Sequence, residues 1–108
     1  MSEADPEILD LIYLRRQTVG DVALEQELLR LLVGQCAHFL PLLTSRADDV
    51  ARREAAHGLR GAAASLGATR LAASAAAIEA GREPPVAIER AVGEVTTTIE
   101  RLLQRHAA

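Results

Sequence analysis

The spacing of apolar residues near the C-terminal end constrains the fold most. Ile88, Val92, Val95, Ile99 and Leu102 alternate steps of four and three, which sets them on one stripe of a long helix that has to be buried against other helices. No strand-like alternation of period two competes with it along the chain. Pro84-Pro85 restarts the chain just before this helix.

Upstream, the same helical logic repeats. Asp5-Pro6-Glu7 sets a capping acid before a proline at a first helical position, and Ile8, Leu11, Ile12 and Leu14 follow at roughly helical spacing. Thr18-Val19-Gly20 breaks this short helix and Asp21 caps the next, whose apolar face reads as Leu24, Leu28, Leu31, Leu32, Phe39, Leu42 and Leu43. Pro41 kinks or ends that second helix, because proline removes a backbone donor. Ser45 to Asp49 offers caps for a third helix running to about Leu66, where Gly67 stops it in a left-handed conformation. Ala68 or Thr69 opens a fourth, with Leu71, Ala75 and Ile78 on one face and an end near Gly81. The expectation is an all-α fold: an antiparallel four-helix bundle with a short additional N-terminal helix, forming a single domain over residues 1–108.

Composition narrows the function. The chain has 49% hydrophobic but only 2% aromatic residues, so small and branched aliphatics must fill the core. A net charge of -3 gives no globally basic surface for nucleic acid. One cysteine, Cys36, has no disulfide partner and reads as a small hydrophobe, and no Cys/His spacing suggests zinc. The acidic start, without a signal-like core, and the lack of any run of about 18 apolar residues predict a soluble cytoplasmic protein with no membrane contact.

One segment does not look like ordinary core. On a wheel of about 100° per residue, His57 lies opposite Ala55, Leu59, Ala62 and Leu66, so it points away from the bundle. Arg53, Arg60, Gly61 and Ala64 fall within about 60° of it. Surface histidines are commonly only solvated. Here, however, a helix in an alanine-rich chain carries both Gly58 and Gly61, although each costs about 1 kcal/mol relative to alanine. Gly61, one turn beyond His57, clears the space over an imidazole that is a good nucleophile near pH 7. His38, in the second helix, and His106, near the end, lack such neighbours.

The run A-H-G-L-R-G-A-A-A-S-L-G-A from Ala56 to Ala68 resembles the signature of histidine-containing phosphotransfer (HPt) domains, in which A-H-x-L-K-G precedes small residues and then L-G-A. Arg70-Leu71 to Ile78-Glu79 is similar to that family's next helix, and the helix order matches across nearly the whole chain. The resemblance makes His57 the phospho-accepting nucleophile, Arg60 the counterpart of a lysine giving electrostatic support, and Gly61 the access glycine. It sets Glu79 where a polar residue contacts the imidazole, so that a carboxylate accepting from Nδ1 leaves Nε2 free. Arginine for lysine at position 60 keeps the charge but changes its geometry, and Gly58 beside the histidine loosens the helix.

The implied function is a phosphocarrier of a two-component phosphorelay, passing a phosphoryl group between aspartates of receiver domains in response regulators or hybrid histidine kinases. The resemblance implies a phosphotransfer intermediate rather than an autonomous enzyme, with no ATP-dependent kinase activity expected. No cofactor of its own is expected, the divalent metal belonging to the partner receiver, and the chain is expected to be a monomer. Arg52, Arg53, Arg60 and Arg70 would complement the receiver's acidic pocket, with exposed parts of the second helix around Leu32 and Cys36 as the apolar share of the docking surface. The alternative is a helical adaptor that binds a receiver or another signalling partner without transfer. A hydrolase or metal protein lacks an assembled set of catalytic groups or ligands.

Overall fold

A computed structural model describes residues 3–45 and 48–107, with the side chains of 106 and 107 left aside. Those residues form α1 (Leu11–Gln17), α2 (Val22–Thr44), α3 (Asp49–Ser65), α4 (Thr69–Glu79), a 3-10 turn (Pro85–Ala87) and α5 (Ile88–Ala107). The protein is all-helical, and no strand occurs among the described residues. α2 packs on α3 and α5, α4 packs on α3 and α5, and α3 makes its largest contact with α4.

The first helix begins later than the sequence suggests. Asp5 does cap, its carboxylate accepting from the Glu7 amide at 2.9 Å, but only a turn follows, and the helix itself starts at Leu11 under Asp10, which accepts from the Tyr13 amide. Tertiary hydrogen bonds compete with helix formation here. The Asp10 amide donates to the Gly67 carbonyl and the Arg70 amide donates to the Glu7 carbonyl, both at 2.8 Å, so this strand of chain is spent on the α3–α4 corner. Gly67 is fixed by both requirements at once: its φ is +80°, and a Cβ there would stand 2.9 Å from the Asp10 carbonyl oxygen.

Caps hold the ends of the next two helices. Asp21 accepts from the Leu24 amide and Asp48 from the Ala51 amide, each occupying a donor that the first turn leaves free. Pro41 does not end α2, since the helix runs on to Thr44 and the Pro41 carbonyl accepts from the Ser45 amide. Its missing N–H falls at an exposed position in the last turn, where water can serve the orphaned carbonyl.

The buried stripe of α2 is rotated from the expected one. Glu25, Leu29, Leu32, Cys36 and Leu43 are buried, Leu28 and Phe39 are half-buried, and Leu24, Leu31 and Leu42 are exposed. Glu25 can occupy the stripe because Arg15 of α1 donates to its carboxylate from Nε at 2.8 Å, which offsets the desolvation of the charge. More leucines are present than one stripe can hold, and this ion pair helps fix the register. On α5 the expected stripe is the observed one: Ile88, Val92, Val95, Ile99 and Leu102 are all buried.

Small side chains bring α3 and α4 together. Ala55, Ala56, Leu59 and Ala63 are buried on α3, and Leu71, Ala75, Ala77 and Ile78 on α4. Facing alanines let two helices approach closely. The C-terminal turn of α4 thereby lies beside the middle of α3.

Candidate functional site

His57 sits in the middle of α3 with its side chain 66% exposed, opposite the buried Ala55, Leu59 and Ala63 stripe. Glu79, the last residue of α4, faces it across the helix interface. Nδ1 of His57 lies 2.6 Å from Oε2 of Glu79. A carboxylate only accepts, so Nδ1 carries the proton and donates; in the neutral ring that leaves the lone pair on Nε2.

Arg60, one turn further along α3, closes the group. Its Nη1 forms an ion pair with Oε1 of Glu79 at 2.8 Å, while Nη2 comes within 3.2 Å of His57 Nδ1. Both nitrogens cannot donate to each other, so that last distance is a close contact and not a second hydrogen bond. Glu79 is thus bridged on both oxygens, and it is only 24% exposed. The carboxylate is thereby held toward the ring by the positive charge of Arg60 on its other oxygen.

The two glycines flanking this group serve different ends. A Cβ at Gly61 would meet nothing within 4 Å, so the space over the imidazole is open on that side. At Gly58 a Cβ would stand 2.8 Å from Cζ of Phe39 on α2, so Gly58 is a packing glycine that admits the phenyl ring. This contact gives Gly58 a packing role that the sequence reading did not assign. No local pattern marks it, because the partner is 19 residues upstream on another helix.

Two further expectations are corrected. Leu32 and Cys36 are buried and offer no docking surface, and burial pushes the Cys36 thiol up to about 11. Arg70 does not join the basic group. It starts α4 while Glu79 ends it, about 13 Å away along the axis, and it is spent on Glu7 and Glu94, each at 2.7 Å. Arg52 is paired with Asp49. Arg53 is exposed and lines, with Glu79, a cleft of about 550 Å³ between α3 and the end of α4. His38 is exposed and stacks edge-on against Phe39 with ring centroids 4.9 Å apart, and the His106 side chain lies outside the described residues.

Among the described residues, no group of three or more His, Cys, Asp or Glu side chains is arranged to hold a metal ion, and no helix is long and apolar enough to cross a membrane.

The helical bundle carries an exposed imidazole, engaged at Nδ1 by a carboxylate from the neighbouring helix. The Hpt domain family matches residues 23–107, and the chain belongs to it. Membership supports a phosphotransfer role in two-component signalling and interaction with receiver domains. No curated protein and no solved structure matched the chain significantly.

Proposed function

We propose that the chain relays a phosphoryl group between aspartates of receiver domains, through a phosphohistidine formed on Nε2 of His57. The observation that carries this reading is the engagement of Nδ1 by Glu79 at 2.6 Å beside the open space over Gly61. One nitrogen is occupied, and the side chain that carries the other is 66% exposed.

The lone pair of Nε2 attacks the phosphorus of a receiver's aspartyl phosphate in line, the N–P bond forms, and the P–O bond to the aspartate breaks, returning a free carboxylate. While Nδ1 keeps its proton, the phosphorylated ring is cationic, and the Glu79 carboxylate offsets that charge. Arg60 holds Glu79 in place and adds positive charge beside the transferring group. Attack by a second receiver aspartate reverses the step. Gly61 leaves room for the approach, which needs a nitrogen–phosphorus distance of about 3 to 3.5 Å. The divalent metal of the reaction belongs to the receiver, and this chain acts as a carrier without a nucleotide of its own.

The bundle that presents the site is read as an antiparallel arrangement of α2 to α5 with α1 added at one end, working as a cytoplasmic monomer. Partners are receivers of response regulators or hybrid histidine kinases. Incubation with a receiver carrying a radiolabelled aspartyl phosphate tests the function: the label should move to this chain and be acid-labile yet comparatively base-stable, as a phosphoramidate is. A complex that forms without any transfer of label would leave a receiver-binding adaptor in its place.

A further inference from the structure

Two guanidiniums flank His57 on α3, and they are not equivalent. Arg60 is committed to Glu79. Arg53, one turn before His57, makes no hydrogen bond or ion pair among the described residues; it acts at a distance on exposed Asp49, which is already held by Arg52. Arg53 nevertheless lines the same cleft as Glu79, and residues four apart on a helix have Cβ atoms about 5–6 Å from each other.

Building on the phosphotransfer reading above, we infer that Arg53 is the phosphoryl-binding cation of the charged state, closing onto the oxygens of the group on Nε2 while Arg60 stays with Glu79. Charge supports this division. Before transfer, the neutral imidazole, Glu79 and Arg60 cancel. Transfer brings about two negative charges, and the ring returns one positive while Nδ1 stays protonated, so the group is left about one cation short. Arg53 is the uncommitted cation within a turn that supplies it. Its long flexible stem spans the remaining gap, and a guanidinium binds phosphoryl oxygens with two parallel donors.

The test loads the full chain with phosphoramidate, which donates its phosphoryl group to the imidazole and leaves as ammonia. The titration of the phosphohistidine is followed by phosphorus NMR in wild type, Arg53→Gln and Arg53→Lys. Removing a contacting cation should raise the midpoint by a few tenths of a pH unit, on the order of a two- to fivefold change in proton affinity. Arg53→Lys should keep most of the wild-type midpoint, and melting temperatures should coincide, since Arg53 is exposed and makes no hydrogen bond or ion pair among the described residues. In the unphosphorylated chain the same substitution should move the His57 titration by less, because no phosphoryl group draws the guanidinium in. Equal midpoints in loaded wild type and Arg53→Gln would overturn the role of Arg53 alone, as would equal displacements in loaded and unloaded chains. A wild type that takes no phosphoryl group from phosphoramidate would remove the phosphotransfer reading and this inference with it.

Discussion

Nδ1 of His57 and Oε2 of Glu79 stand 2.6 Å apart across the α3–α4 interface, although 22 residues separate them in the chain. Neither residue is placed by its own turn alone. His57 is held by the exposed face of α3, and Glu79 by the packing of α4 on the buried face of that same helix.

If this contact sets the tautomer, Glu79→Ala should leave the imidazole as a mixture of Nδ1–H and Nε2–H forms. Nitrogen NMR of the ring reads the two directly. Transfer should slow by about tenfold, in line with the loss of one partly exposed charge-assisted hydrogen bond. A single Nδ1–H tautomer in Glu79→Ala would show that Glu79 does not select it.

His57→Gln should keep helical content and melting temperature, since the side chain is 66% exposed and packs into no core. It should take up no label from a phosphorylated receiver. Labelling equal to wild type would move the phosphorylation site elsewhere.

Much of this was legible in the sequence, for identifiable reasons. The α5 stripe, the Asp21 cap, the Gly67 stop and the exposure of His57 follow from spacing and local chemistry, which a single chain displays. The late start of α1 was not legible, because the amides of Asp10 and Arg70 are claimed by carbonyls distant in sequence. The register of α2 was hidden too, since only the Arg15–Glu25 pair explains why a glutamate rather than Leu24 turns inward. Glu79 opposite His57 came from the family resemblance, and the spare cation Arg53 emerged only once Arg60 was seen engaged.

Arg60→Ala should slow transfer without abolishing it, because the nucleophile remains while Glu79 loses its second anchor. Arg60→Lys should retain most activity, with one donor still able to reach Oε1. Single-turnover transfer rates measure both. A wild-type rate for Arg60→Ala would end the electrostatic role assigned to that residue.

Cys36 should resist iodoacetamide in the folded chain at neutral pH. Burial disfavours its thiolate, the reactive form, and pushes the thiol up to about 11. Alkylation should appear on unfolding in denaturant. Rapid modification of the native protein would mean that α2 opens locally on the timescale of the reaction.

Gly58 and Gly61 provide the sharpest contrast, because both sit in α3 and the same substitution should act on them in opposite directions. Propensity alone favours glutamine over glycine by somewhat under 1 kcal/mol at either position. At Gly61 nothing lies within 4 Å of an added Cβ, so Gly61→Gln should hold or raise the melting temperature. Its side chain nevertheless stands one turn from the imidazole, in the path of the incoming phosphoryl group, and the transfer rate should fall. At Gly58 the new Cβ would meet the Phe39 ring at 2.8 Å, so the ring must be displaced from between α2 and α3. Gly58→Gln should therefore destabilise the protein by about 1–3 kcal/mol, as overpacking does, against the propensity gain. Thermal melts of the two variants, run beside transfer assays, separate access from packing. A destabilised Gly61→Gln would show that the open space over His57 is needed for the fold rather than for the reaction.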